Sequence, residues 1–307
     1  SAHGVETIVA EAGIGGRLDA TRAIPGRVVG LTSLDLEHTA LLGPSLELIA
    51  YDKVDLCPDG GVVVAGSWRE LGLEASLLRR IGGYLAVRGA ELKTVDAAAQ
   101  LYDVRYRDAG MVVDMELYGE RLDGVAIAMA GRFQWSNAVV ALLLAEQWLA
   151  RHRPGVGRAE LVAAWRRVVA RTRVAGRFEV VDRDPLTVID VGHTPRAARA
   201  VAELARRSLG QRPIVLVLGV SEDKDIASIA RPLLDVADAA VLTRASLRGA
   251  PVDLLLELAD GVDSVIVEPV AEAVGAARDL ARRRGGAVLV AGGLFLGVEA
   301  KRALTSP

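Results

Sequence analysis

Hydrophobic and polar positions follow a regular plan from Phe178 onward. FEVVDRDPLTVIDVGH, PIVLVLGV, AAVLTRA, SVIVEP and AVLVAG read as short strands. Between them PRAARAVAELARRSLG, IASIARPLLDVA, VDLLLELADG, AEAVGAARDLARRRG and VEAKRALT carry apolar residues at helical spacing. Strands and helices that alternate through connections of a few residues close as a parallel, Rossmann-like sheet. No G-x-G-x-x-G follows the first of these strands, so the fold alone does not assign a dinucleotide.

The first part is less regular. Residues 5–12, 27–34 and 61–66 read as strands, and residues 45–56 and 70–89 as helices. Residues 102–119 and 122–130 alternate as antiparallel strands do, and long helical patterns cover 136–152 and 159–173. The second of these helices runs into VAGRFEVV, where the boundary is placed. The expectation is an α/β chain of two domains, 1–176 and 177–307.

Composition narrows the function classes. Of 307 residues, 51% are hydrophobic but only 4% aromatic, which suits an aliphatic core of helices on parallel strands. A net charge of −2 gives no global electrostatic case for nucleic acid or an acidic membrane surface. The lone cysteine, Cys57, excludes an intrachain disulfide and a thiolate metal cluster, and fits a reducing, cytoplasmic setting. The apolar runs are too short and glycine-rich to span a bilayer.

Seven segments, EAGIGGRLDAT, TSLDLEHTALLG, IAYDKVDL, FQWSNAVVA, AGRFEVV, VIDVGHTP and SEDKD, carry the candidate chemistry. In this order they resemble the signature segments of the folylpolyglutamate synthase and dihydrofolate synthase family of the Mur ligase superfamily. The resemblance covers nearly the whole chain. It implies the remainder of a central ATPase-type domain followed by a C-terminal Rossmann-like domain. The implied activity is an ATP-dependent ligase that joins L-glutamate to a folate or to dihydropteroate. The substrate carboxylate is phosphorylated by ATP and the acyl phosphate is then attacked by the amine, so a crowd of oxyanions must be neutralised, with Mg²⁺ the natural counter-ion.

The resemblance also implies roles for individual residues. Glu11 and His38 match metal-binding positions; because histidine is an unusual ligand for hard Mg²⁺, Mn²⁺ is an alternative. Lys53 matches a lysine that carbon dioxide converts to a carbamate, a carboxylate-like metal ligand, which requires the neutral amine. The chain has only four lysines among 37 Lys and Arg, a background that keeps lysine where arginine will not substitute. Asn137 is expected at adenine, Arg177 at a phosphate and Asp190 at the ribose, with His193 beside them; Arg17 and Asp19 are expected at the pterin-bearing substrate. The chain departs from the family pattern at Arg22 (usually Asn), at Val191 (usually Gly) and at Thr194 (usually Asn).

Each residue also has a plainer reading. Lys53 alone reads as a solvated charge, Asn137 as a helix-capping residue, Arg177 as a linker charge and His38 as a capping or hydrogen-bonded histidine. Joint, ordered occurrence favours the ligase reading. One family element is missing: no G-x-x-x-x-G-K-[ST] phosphate loop occurs in these 307 residues. The expectation is therefore a ligase truncated ahead of its first segment, inactive by itself, working as a monomer or with an N-terminal half supplied separately. The alternatives are a catalytically silent binding or assembly module, and a Mur-like ligase with another carboxylate substrate.

Overall fold

A computed structural model describes residues 6–71, 73–107, 110–210 and 212–305. The chain divides into two compact units. Unit 1 comprises Ser1–Asp103, Asp114–Val125 and Arg132–Val168; unit 2 comprises Val104–Val113, Ala126–Gly131 and Val169–Pro307.

Unit 1 is built on a parallel sheet of order β1-β2-β3, with β1 at Val28–Leu31, β2 at Val62–Ala65 and β3 at Glu91–Thr94. Helices Leu46–Val54 and Ala75–Val87 cover one face. Their Ile49, Val54, Leu77, Ile81 and Leu85 form one core with Leu31, Val63 and Ala65. Ile81 has no exposed surface, so its truncation to alanine costs about 2–5 kcal/mol. The long helix Arg132–His152 comes against β1, where Gly30 leaves room for Leu144; a Cβ on Gly30 would lie 3.0 Å from that side chain. A three-stranded sheet of order β4-β5-β6 follows β3, with β4 at Ala99–Arg107, β5 at Gly110–Leu117 and β6 at Glu120–Ile127.

Unit 2 carries a six-stranded sheet. Its strands are β7 (Glu179–Arg183), β8 (Leu186–Ile189), β9 (Ile214–Leu218), β10 (Ala239–Leu242), β11 (Ser264–Ile266) and β12 (Ala287–Ala291), in the order β11-β10-β9-β12-β8-β7. All pairs are parallel except β7 with β8, a hairpin at one edge. Alternate residues face opposite cores. Leu216, Leu218, Leu242 and Leu289 pack with Ala198, Ala202, Ile229 and Leu233 from helices Pro195–Ser208 and Ile226–Leu234. Val215, Val217, Val241 and Val290 pack with Ala273, Ala277 and Leu296 from helices Val270–Arg284 and Leu294–Thr305. This two-sided burial is why the strands read as continuous apolar runs.

The expected α/β class and parallel sheet are present, with differences in unit 1. Residues 6–12 form no strand, and residue 5 lies outside the described residues. β1 pairs only with β2 among the described residues, so this apolar run has no hydrogen-bonded neighbour; Val9 is 96% exposed. The helix expected over 70–89 is two, Trp68–Leu71 and Ala75–Val87. Three strands, rather than two runs, occupy 99–127. Residues 91–94, short and polar, gave no strand signal, yet they pair along all of β2.

Candidate active-site elements

In unit 1 the glycine-rich loop is clasped to the start of the lysine segment. Gly16 N donates to Asp52 Oδ1 at 2.9 Å, and Arg17 N donates to the Asp52 carbonyl at 2.9 Å. Arg17 Nε lies 3.4 Å from Asp52 Oδ2. Gly16 is needed because its backbone touches the helix: a Cβ there would come within 2.5 Å of the Lys53 carbonyl oxygen. The loop carrying Arg17 and Asp19 is thereby seated on the Asp52–Lys53 peptide. Helix Leu46–Val54 presents Lys53 in its last turn and is capped by Ser45, whose Oγ accepts from Leu48 N at 3.3 Å. The Lys53 side chain is half-buried and has no hydrogen bond or ion pair among the described residues.

Asp19 organises its own loop. Oδ1 accepts from Thr21 N at 2.8 Å and Thr21 Oγ1 at 2.6 Å; Oδ2 accepts from Gly13 N at 2.9 Å and Ile14 N at 3.1 Å. The Thr21 hydroxyl and the three amides hold its carboxyl at about 2, below the ordinary 3.8. The expected substrate residue thus spends its carboxylate on shaping the loop.

Glu11 and His38 are both exposed, and their side chains have no hydrogen bond or ion pair among the described residues. His38 stands in the left-handed region at φ 52°, directly before helix Thr39–Leu42. No group of three His, Cys, Asp or Glu side chains is arranged to hold a metal ion among the described residues. Among the described residues, Glu11 and His38 would need donors from other groups to hold a metal ion.

Asn137 lies in the second turn of helix Arg132–His152, and its Nδ2 donates to Gln134 Oε1 at 3.1 Å. The pair fixes the amide plane and leaves the Asn137 carbonyl oxygen unengaged among the described residues. Gln134, which the sequence reading missed, is buried, 4% exposed. On a different side of that helix, Arg132 and Trp135 line a cavity of about 110 Å³ with Ser67, Glu70 and Asp96; none of the expected residues borders it.

Unit 2 brings Arg177, Asp190 and His193 together. Asp190, at the carboxyl end of β8, is 4% exposed and bridges two loops: Oδ2 accepts from Phe178 N at 2.9 Å and Oδ1 from Gly192 N at 2.8 Å. Burial raises its carboxyl above the ordinary 3.8, against the pull of the two amides and Arg177. Arg177 is exposed, whereas its neighbours Gly176 and Phe178 are buried, both at positive φ, 69° and 47°. His193 Nδ1 is 3.3 Å from the Val191 carbonyl. The departures from the family pattern are accommodated locally. Val191 packs where Gly176 and Gly297 both lack a side chain; a Cβ would meet its Cγ1 at 2.7 Å from the one and 2.5 Å from the other. Thr194 caps helix Pro195–Ser208 by accepting from Ala197 N at 3.2 Å, with Pro195 opening the first turn.

Residues 176–294, from Gly176 into the last helix, match the Mur ligase, glutamate ligase domain family. A probable bifunctional folylpolyglutamate synthase/dihydropteroate synthase of Haloferax volcanii is 32% identical over 306 residues, 98% of this chain and 35% of that protein. The chain is a homologue of the folylpolyglutamate and dihydrofolate synthases. The dihydrofolate synthase/folylpolyglutamate synthase of Mycobacterium tuberculosis is 29% identical over 252 residues, 78% of this chain and 49% of that protein. Among solved structures, Mycobacterium tuberculosis folylpolyglutamate synthase complexed with ADP and AMPPCP has the same fold, with a TM-score of 0.80 at 24% identity over 96% of this chain and 67% of that one. Escherichia coli FolC in complex with DHPP and ADP gives a TM-score of 0.77 at 25% identity, covering 95% and 65%. This homologue thus spans between a third and a half of these two curated relatives. No described helix is long and apolar enough to cross a membrane.

Proposed function

We propose that this chain contributes to an ATP-dependent ligase that joins L-glutamate to a folate or to dihydropteroate in the cytoplasm, with functional domains at 1–176 and 177–307. The observation that carries the reading is the seating of the Gly16–Arg17 loop on the Asp52–Lys53 peptide. The Arg17 loop beside the one lysine of the IAYDKVDL segment supports reading it as a substrate loop. The named activities of the homologues support the same reaction class.

ATP would supply the phosphoryl group that activates the substrate carboxylate. In unit 1, Arg17 presents a guanidinium for a substrate carboxylate while Asp52 holds its backbone. The half-buried Lys53 amine, free of ion pairs among the described residues, is the group offered for carbamylation. Glu11 and His38 offer exposed donors for a cation completed by oxygens from other groups. Asn137, locked by Gln134, presents an amide to adenine. In unit 2, Arg177 is lifted from two buried neighbours and suits a phosphate oxygen. Asp190 fixes the loops at Phe178 and Gly192 and keeps one lone pair on each oxygen for ribose hydroxyls.

A second reading, a silent binding module, is favoured by the absence of a phosphate-loop motif in these residues. Lys53→Ala separates the two. In the gene product as the cell makes it, the ligase reading expects glutamylation to disappear in this variant, with partial rescue by formate or acetate. Unchanged turnover rejects the role of Lys53.

A further inference from the structure

The segment Val174–Phe178 is held from both sides by carboxylates. On one side Asp190 Oδ2 accepts from Phe178 N. On the other, Glu179 Oε2 accepts from Gly176 N at 2.8 Å. Glu179 is held in turn by Lys301 Nζ, 2.7 Å from Oε1 and 3.0 Å from Oε2. Lys301 comes from helix Leu294–Thr305, 122 residues along the chain. It lies one turn after Gly297, on the helix face that closes onto Val191. Val191 N in turn donates to the Gly176 carbonyl at 2.9 Å. Three contacts therefore converge on Gly176: its N–H, its carbonyl and its missing side chain.

We propose that Glu179 and Lys301 are positioning residues for Arg177, fixing the backbone around Gly176 so that the guanidinium meets a nucleotide phosphate. The inference rests on the phosphate role proposed for Arg177. Arg177 lies between two left-handed residues, a backbone that an unrestrained chain rarely keeps. With Gly176 N–H tied to a carboxylate, the direction in which residue 177 projects is set by helix Leu294–Thr305. Both side chains of the pair are only partly exposed, 36% for Lys301 and 26% for Glu179, and the lysine engages both carboxylate oxygens. That geometry restrains the carboxylate more than a single rim contact does. It also gives one of the chain's four lysines a defined task in an arginine-rich background.

The first test uses the 307-residue chain and needs no ligand. Residue-resolved amide exchange is followed at Gly176 and Phe178 in Lys301→Ala, Lys301→Arg and Glu179→Gln, with circular dichroism confirming folding. Lys301→Ala should speed Gly176 exchange about tenfold or more, as expected when a restraint on a local opening is lost, and leave Phe178, held by Asp190, much less changed. Lys301→Arg should restore protection, and Glu179→Gln, which loses the ion pair and the charged acceptor together, should speed Gly176 exchange at least as much as Lys301→Ala. Unchanged Gly176 exchange in Lys301→Ala overturns the proposal. The second test uses the gene product as the cell makes it. Lys301→Ala should raise KM for ATP severalfold with little change in kcat, and should add nothing in an Arg177→Ala background. A KM effect that persists undiminished in that background overturns the proposal. If Arg177→Ala leaves KM for ATP unchanged, the phosphate role fails and this inference with it, whatever the exchange shows.

Discussion

Gly176→Ala is the most demanding perturbation of the Val174–Phe178 segment. The native φ is +69°, and a Cβ would stand 2.7 Å from Val191 Cγ1 and 3.1 Å from Cγ2. The left-handed backbone costs a non-glycine residue about 1–2 kcal/mol, and forcing a methyl into an occupied space typically costs about 1–3 kcal/mol more. The expected destabilisation of unit 2 is therefore about 2–5 kcal/mol. Urea denaturation separates the two contributions when Val191→Ala is added, because it removes both γ carbons but leaves φ unchanged. The double variant should recover about 1–3 kcal/mol relative to additivity, the steric share alone. Circular dichroism follows the loss. A penalty below about 0.5 kcal/mol, within the range of an ordinary surface substitution, would refute the packing described at Gly176.

Three further predictions follow from the carboxylates. Asp19 has a depressed pKa, so its hold on the loop is fully present above the ordinary 3.8 and is lost as pH falls through about 2. Amide exchange at Gly13, Ile14 and Thr21 should quicken over that window, and in Asp19→Asn it should be fast and nearly free of this pH dependence. Asp190 has a raised pKa, so its contribution to stability decreases as pH rises from 3.8 through the raised value and is constant above it. Urea melts of the native protein and Asp190→Asn over a pH series should diverge only in that window. Asp52→Ala should release Gly16 N–H and the Arg17 side chain together, read as faster exchange at Gly16 and, in the glutamylating gene product, a raised KM for the pterin-bearing substrate; unchanged exchange would dissolve the link between loop and lysine.

The second unit was legible because its strands are buried on both faces and its helices are amphipathic, so period and length agree from Phe178 to Thr305. The first unit was harder for stated reasons. Residues 6–12 have a strand's composition, but a strand needs a hydrogen-bonded neighbour that composition does not report. β3 has the opposite difficulty, Glu91 and Lys93 being polar while the backbone pairs fully with β2. Among the site residues, the D-A-T spacing of Asp19 and Thr21 carried a readable capping signal, a short acceptor two residues before the amide it binds, and weighing it would have shown the carboxylate to be occupied. Asp190 looked like a free strand-end acid because its partners, Phe178 and Gly192, bond through their backbones. The Glu179–Lys301 pair joins residues 122 apart and leaves no local trace.

Glutamylation is the most direct test of the proposed function. Mass spectrometry would follow addition of a glutamyl group to dihydropteroate or a reduced folate in the presence of ATP, Mg²⁺ and L-glutamate. The gene product as the cell makes it would be run beside its Lys53→Ala variant. The account predicts product that requires both ATP and glutamate, and its loss in Lys53→Ala. Absence of any glutamylated product, or product that forms without ATP, would contradict it.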